Sequence, residues 1–193
     1  MTDSRVPATG VAPKNEEQSF GRWLLETVLL VALAFALAFG IRTLLVEPFI
    51  VPTGSMIPTI QIGNRILAEK VTYRFVRPPR YGDIVVFPDP KGEHPHLIKR
   101  VIATGGQTVD LKDGHVLVDG KELVEPYTHG LPSEPLTDQF KFPYTVPDGD
   151  MWVMGDNRTN SGDSRVFGPI PLKEVQGRAI WTYWPLSAFG ALE

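Results

Sequence analysis

The sequence contains no cysteine among its 193 residues. This absence excludes disulfide bonds, thiolate metal sites and a cysteine nucleophile. Histidine is scarce too, since there are only four, and the close pair His94 and His96 has no further cluster of ligand residues near it. We therefore expect neither a metal ion nor any other cofactor.

An excess of positive charge is also missing. Lys and Arg number 19 and Asp and Glu number 22, which gives a formal net charge of −3. Proteins that bind nucleic acid through its phosphates normally carry a basic excess. Nucleic acid is therefore not an expected partner.

Turn-forming residues, by contrast, are abundant. The 18 glycines and 18 prolines follow no collagen-like period and favour many turns, hence a strand-rich fold. Asp113-Gly114 and Asp119-Gly120 are typical hairpin dipeptides, and a Pro-rich excursion occupies 125–147. The predicted strands cover 84–87, 96–102, 109–111, 116–118, 151–154 and 177–181, with one short helix at 171–175. The fold class that we predict is mostly β, with a single transmembrane helix before a β-rich domain.

One long apolar run lies near the N-terminus. Residues 24–41 contain a single charge, Glu26, and as a helix they span about 27 Å, close to the ~30 Å hydrocarbon core of a bilayer. A membrane anchor is the favoured interpretation. A cleaved leader, suggested by the small residues of Ala36-Leu37-Ala38, and a buried soluble helix are the alternatives.

The basic residues around this run predict its orientation. Arg5, Lys14 and Arg22 precede it, whereas Arg42 alone follows closely, so the positive-inside rule places the N-terminus in the cytoplasm. We expect a mobile polar tail over 1–19, within a cytoplasmic segment 1–22, then an anchor 23–46 and an extracytoplasmic domain 47–193. A bacterial plasma membrane is the expected location, with a thylakoid or organellar membrane as the alternative.

Two residues are candidates for nucleophilic chemistry. Ser55 lies in a loop restrained by Pro52 and Pro58, and restraint favours a nucleophile although most Gly-Ser pairs are simple turns. Lys99 lies in a predicted strand on the same face as Leu97 and Val101. A lysine among aliphatic neighbours loses its proton more easily and can serve as a general base, but a surface lysine fits the pattern as well.

A polar segment over 155–168 completes the set. It is dense in Asp, Asn, Ser and Arg, which suits a loop held by charge-assisted hydrogen bonds. A solvated loop is the simpler interpretation. A calcium loop does not fit, because the glutamate of the EF-hand pattern is missing at the twelfth position.

In combination and in order, these segments resemble the type I signal peptidases, membrane-anchored serine–lysine proteases. The resemblance covers about 20–190 and implies that Ser55 is the nucleophile and Lys99 the general base. It implies that Ser161 orients Lys99 and that the Thr53 hydroxyl joins the Ser55 N–H in an oxyanion hole. The supporting ion pairs that it implies are Arg100–Asp156 and Asp163–Arg165. Thr53 departs from the family's usual serine but keeps the hydroxyl.

The resemblance also implies the substrate. Signal peptides of pre-proteins would bind as an added strand and be cut after Ala-x-Ala-like sites, and the lipid bilayer would be the second partner; no oligomeric state is predicted. The residues expected to line the substrate site are Phe49, Ile50, Val51 and Pro52, with Asp83, Ile84, Val85 and Val86.

Two other functions compete with this one. A self-cleaving repressor-type protease shares the serine–lysine chemistry, but it would need a DNA-binding domain in place of the apolar run. A catalytically silent, membrane-anchored peptide-binding module is the alternative from a different class, and the joint presence of Ser55, Lys99 and Ser161 argues against it. Near the C-terminus, Trp181, Trp184 and Phe189 are expected in the core, with a partner or bilayer contact as the alternative.

Overall fold

The structure is a computed structural model that describes residues 20–192. The expected polar tail, 1–19, lies outside the described residues. The chain divides into two compact units after Phe39, and the domain boundaries expected from the sequence stay a prediction.

The first described element is the helix α1, Phe20–Leu44. Within the described residues it is the one helix long and apolar enough to cross a membrane, over Phe20–Ile41, and none of this span is buried. Such exposure contradicts the alternative of a buried core helix. The membrane anchor therefore stays the favoured prediction.

The remaining described chain is β-rich, which confirms the predicted fold class. Its strands are β1 Val46–Ile50, β2 Arg65–Glu69, β3 Ile84–Phe87, β4 Leu97–Thr104, β5 Thr108–Lys112, β6 His115–Val118, β7 Lys121–Glu122, β8 Tyr144–Thr145, β9 Asp150–Met154, β10 Ile170–Pro171, β11 Gly177–Trp184 and β12 Gly190–Ala191. The helical segments after α1 are short: a π-helix Thr72–Val76, α2 Ser164–Phe167, and 3₁₀ turns at Pro126–Thr128, Leu172–Glu174 and Leu186–Ala188.

The strands form two antiparallel sheets. The larger has the order β1-β2-β11-β3-β4-β9-β10, with β12 beside β11, and the smaller has the order β7-β6-β5-β8. The Asp113-Gly114 turn joins β5 to β6, as the hairpin signal predicted. Asp113 has a positive φ of 53° and Gly114 one of 82°, which a two-residue hairpin turn requires of both residues.

The position of β4 inside the larger sheet determines which side chains meet. Lys99 lies opposite Val85 of β3, and Arg100 lies opposite Ile84 of β3 and Met154 of β9. Successive side chains of a strand point to opposite faces. The two adjacent cations therefore leave the sheet on different sides, each into its own surroundings.

Buried side chains cover both faces of this sheet, because Ile84 and Val86 of β3 belong to one cluster whereas Val85 and Phe87 belong to another on the opposite face. One cluster joins Phe49, Val51, Met56, Ile84 and Ile98 beneath the Ser55 loop. A second packs the larger sheet against the smaller one, with Trp152 at its centre. The expectation of a core position was wrong for Trp184 and Phe189, which are 50% and 59% exposed, because β11 and the turn after it end at the edge of the domain.

Candidate active site

The loop that carries Ser55 is closed at its two ends by backbone hydrogen bonds. Val51 N donates to the Asn64 carbonyl, and Gly63 N donates to the Val51 carbonyl, each within 2.9 Å. The side chains of Met56 and Ile60 are buried under the loop, so burial of apolar area adds to the hydrogen bonds. Ser55 is therefore held on a short, closed loop above the sheet.

Lys99 reaches this loop from β4. Its Nζ lies 2.6 Å from Ser55 Oγ, and only 2% of the residue is exposed. Burial lowers the pKa of Lys99 from 10.5 to about 8, against an opposing effect from the charge of Asp163. A large share of this lysine is consequently neutral near pH 8, in contact with a serine hydroxyl.

A buried carboxylate connects Arg100 to the serine loop. Arg100 donates to both oxygens of Asp156, at 2.8 and 2.7 Å, and Thr59 Oγ1 donates to the same carboxylate at 2.5 Å. The next residue, Asn157, bonds the carbonyls of Gly54 and Ser55 through its side chain and its backbone N–H. The implied Arg100–Asp156 pair is thus present, and it positions the loop that carries Ser55.

The second implied ion pair is also present. Asp163 accepts from Arg165 Nε at 2.9 Å and from Nη2 at 2.8 Å, and all of these groups are buried. The same carboxylate accepts the backbone N–H of Gly155 at 3.0 Å, while Arg165 also donates to the Arg158 carbonyl. The polar segment is therefore a buried, hydrogen-bonded scaffold rather than a solvated loop.

Ser161 differs from the expectation in one respect. Its Oγ is buried, and among the described residues it has no hydrogen-bond partner. The bond to Lys99 that the resemblance implies is therefore not formed in this structure. Ser161 Oγ does lie against Gly155, close to the Ser55 carbonyl, so it is beside the site, and its orienting role stays a prediction.

Two depressions meet at Ser55. The first, of about 320 Å³, is largely apolar and lies between 47–53 with Met56 on one wall and 94–98 on the other. The second, of about 340 Å³, contains Lys99 and the polar residues Asp89, Lys91 and Glu93. Thr53 and Ser55 border both depressions. A bound chain that ran from one depression to the other would pass directly over Ser55.

Comparison with known proteins identifies the family. The profile of the family described as "Signal peptidase, peptidase S26" matches residues 24–184. The chain belongs to this family. A signal peptidase I from Leptolyngbya laminosa is 38% identical over 99% of this chain and 95% of its own length. A probable signal peptidase I-1 from Synechocystis is 40% identical over 89% of this chain and 88% of its own length.

Membership of the signal peptidase family makes this protein a serine endopeptidase. Among solved structures, a crystal structure of a signal peptidase I from Enterococcus faecalis V583 is 32% identical, with a TM-score of 0.45. That comparison covers 53% of this chain and 97% of the other. Among the described residues, no group of His, Cys, Asp or Glu is arranged to hold a metal ion.

The residues predicted to line the peptidase's substrate site fall into two groups. Phe49, Ile50, Val51 and Pro52 all line the apolar depression, and their role in substrate binding stays a prediction. Asp83, Ile84, Val85 and Val86 line neither depression at Ser55.

All four residues of this second group are buried, and their expected part in substrate binding stays a prediction. Ile84 and Val86 belong to the buried cluster under the cleft, and Val85 packs on the opposite side of the sheet. The Asp83 carboxylate is occupied by Arg77, at 2.6 and 2.9 Å.

Sequence reasoning missed the supports that come from the Pro-rich excursion. Glu125 accepts two bonds from the buried Arg158, both at 2.7 Å, and Ser133 accepts a third. The ring of Tyr127 covers the Arg100 guanidinium at 3.9 Å, a favourable cation–π contact. The sequence did contain one signal for these supports. Arg158 has no partner assigned to it within the polar segment 155–168, and a buried cation of this kind needs a carboxylate from elsewhere in the chain.

Proposed function

We propose that this peptidase removes signal peptides from pre-proteins by means of a Ser55–Lys99 dyad. The observation that carries the proposal is the 2.6 Å contact between Lys99 Nζ and Ser55 Oγ, at the point where an apolar and a polar depression meet. A deprotonated amine at that distance accepts the serine proton directly.

Acylation follows from this geometry. Neutral Lys99 takes the hydroxyl proton while Ser55 Oγ attacks the scissile carbonyl, and the carbonyl electrons move onto oxygen. The Ser55 N–H and the Thr53 hydroxyl stabilise that oxyanion, where one donor contributes about 3–4 kcal/mol. Protonated Lys99 then donates its proton to the departing amine, which leaves as the new N-terminus of the mature protein.

Deacylation uses the same lysine. Neutral again, Lys99 takes a proton from a water molecule that attacks the acyl-enzyme ester. The ester bond to Ser55 breaks, and Ser55 Oγ recovers its proton from Lys99. The cycle needs protein groups and water alone.

The apolar lining of the depression supports a preference for apolar residues before the cut. Met56 and Ile98 are almost fully buried at its floor, and Phe49 packs edge-to-face against His96 with ring centroids 5.1 Å apart. Small apolar side chains such as alanine can pack against this apolar floor. We infer an Ala-x-Ala-like specificity, with the peptide added as an extended strand.

The apolar helix supports the membrane part of the proposal. Residues 20–41 anchor the chain, with the N-terminus in the cytoplasm and the β-rich domain outside, because basic residues precede the span. Ser55 follows Ile41 by only 14 residues, so the anchor keeps the site close to the bilayer. Signal peptides are cut near that same surface.

The substrate preference is testable by cleavage of a purified pre-protein. We expect the full chain in detergent to cut after an Ala-x-Ala site, and to lose at least about 100-fold in kcat/KM when the residue before the cut is leucine, because the proposed specificity is for small side chains at that position. A pre-protein with leucine at the middle, x position is the matched control and should be cut normally. Equal cleavage of all three substrates would contradict the proposed pocket.

The pH dependence of cleavage follows from the pKa of Lys99. Because burial lowers that pKa to about 8 and the base acts when deprotonated, kcat/KM should rise about tenfold per pH unit below 8 and level off above it. An unburied lysine would move this rise to about pH 10.4. A profile that is flat between about pH 6 and 9 would show that another group is the base.

A further inference from the structure

The polar depression at Ser55 is the part of the site whose occupant has still to be identified. Its lining includes Ser55, Lys99, Asn160 and Gly162, together with charged residues of the loop 89–94. The apolar depression also contains Ser55, but Lys99 does not line it. The two depressions therefore differ in one respect that matters for the reaction, since only the polar one gives access to the base.

This difference determines which part of a substrate each depression receives. In acylation the departing amine takes a proton from Lys99, so its nitrogen has to come within hydrogen-bond distance of Lys99 Nζ. That nitrogen belongs to the first residue after the cut. The chain that continues from it therefore enters the depression that Lys99 lines, while the residues before the cut lie against the apolar wall at 47–53.

Asn160 presents an unused amide group in the polar depression. The residue is exposed and lines the depression together with Lys99 and Ser55. Within the part of the chain that the structure describes, its side chain forms no hydrogen bond. An asparagine amide carries an acceptor oxygen and an NH₂ donor on one rigid plane, so it can pair with both polar groups of a peptide backbone at once.

The backbone of Asn160 is tied to the loop that carries the nucleophile. Asn160 N donates to the Asn157 carbonyl at 2.9 Å, and Asn157 N donates to the Ser55 carbonyl at 3.0 Å. The Asn157 side chain donates to the Gly54 carbonyl, also at 3.0 Å. Asn160 therefore keeps a fixed position relative to Ser55, which a residue that positions a substrate requires.

We propose that the polar depression binds the first residues of the mature protein and that Asn160 holds their backbone through a pair of hydrogen bonds. In an extended chain the N–H and C=O of one residue point to the same side. The Asn160 oxygen accepts that N–H while its NH₂ group donates to that C=O. Such recognition does not depend on side chains, so it suits mature proteins that begin with different residues. The inference rests on the proposed function, because it requires a pre-protein that acylates Ser55.

Two peptides separate this role from a general effect on the site. Both contain the same Ala-x-Ala site; one continues into a mature segment, and the other ends at the first mature residue. In the full chain, Asn160→Ala should lower kcat/KM for the longer peptide about tenfold, mainly through KM, because two hydrogen bonds to neutral groups are lost. Cleavage of the shorter peptide should be unchanged, which also shows that the variant is folded.

Thr159→Ala is the matched control for this variant. Thr159 is the neighbour of Asn160 and is also exposed, but it lines neither depression at Ser55. The control should therefore cut both peptides as the parent protein does.

Methylated peptides identify the backbone group that Asn160 holds. A methyl group on a backbone nitrogen removes its N–H, and we place it on the second or on the third residue after the cut. Successive residues of an extended chain point their N–H groups to opposite sides, so only one of the two peptides should lose the bond to Asn160. With that peptide Asn160→Ala should cause no further loss, whereas with the other the loss of about tenfold should remain.

Three results would overturn the inference and leave the proposed function intact. An equal loss on the longer and the shorter peptide would make Asn160 a support of the dyad instead of a substrate contact. No loss on either peptide would remove Asn160 from substrate binding. The same response to Asn160→Ala with both methylated peptides would reject the backbone bonds. A parent protein that cut neither a pre-protein nor the longer peptide would reject the proposed function and this inference together.

Discussion

Replacement of Lys99 by methionine should lower kcat/KM by about 10³-fold or more, because a general base contributes 10²–10⁴-fold and no other amine is in contact with Ser55 Oγ among the described residues. Methionine keeps the length of the side chain and removes the amine. KM should change little, since the apolar wall at 47–53 does not depend on the lysine. Ser55→Ala should lose at least as much activity.

The loss should not result from unfolding. Burial lowers the pKa of Lys99, which means that the fold disfavours the charged ammonium, so an apolar side chain of similar size leaves the free energy of unfolding unchanged or raised. Thermal unfolding of Lys99→Met checks this directly. Lys112→Met, on an exposed lysine of β5, is the matched control and should cleave normally.

The double variant Ser55→Ala/Lys99→Met gives the sharper test. Residues that act as one unit are non-additive, so the double variant should be no slower than the slower single variant. If the two losses multiplied instead, Ser55 and Lys99 would act independently. Near-normal activity of Lys99→Met would assign the base to another group.

Gly155→Ala should inactivate the enzyme and destabilise it by about 3 kcal/mol, at the upper end of overpacking effects. A Cβ at this position would overlap Ser161 Oγ and the Ser55 carbonyl oxygen. One of these is backbone and cannot rotate away. The Ser55 loop must therefore move from Lys99, and a displacement of about 1 Å is enough to cost about 100-fold in rate.

Gly190→Ala is the matched control for this glycine. A Cβ at Gly190 would meet no atom within 4 Å, so both the melting temperature and kcat/KM should stay close to those of the parent protein. For Gly155→Ala we expect a melting temperature lower by roughly 6–12 °C. Full activity with an unchanged melting temperature would show that the loop tolerates the extra atom and does not fix the dyad.

Much of the fold could be predicted because its signals are local. The hairpin at Asp113-Gly114 follows from a dipeptide that accepts positive φ, and β3 and β9 follow from short apolar runs between turns. The strands β1 and β2 were not predicted, because Pro48 interrupts β1 and charged residues lie at both ends of β2. Their pairing depends on partners 15–23 residues away, which no local pattern encodes.

The residues of the candidate site also fall into two groups, those that local sequence patterns predict and those that only contacts between distant segments reveal. Ser55 and Lys99 were predicted because their segments carry recognisable residue types in a recognisable order. Glu125 and Tyr127 were not, because their importance comes from Arg158 and Arg100, which are 33 and 27 positions away in the chain. The burial of Ile84, Val85 and Val86 likewise depends on the packing of several strands.

By itself, the amino-acid sequence determined the β-rich class, the single apolar span and the residue types needed for serine–lysine chemistry, since composition, periodicity and turn dipeptides act over a few neighbouring residues. Only the tertiary structure decided that Lys99 Nζ lies 2.6 Å from Ser55 Oγ. It also decided that burial brings the pKa of Lys99 down to about 8 and that Ser161 Oγ is left without a partner among the described residues. The distance between two side chains, the burial of an amine and the pairing of a hydroxyl all depend on segments that lie far apart in the chain. These properties are set only after those segments have packed together.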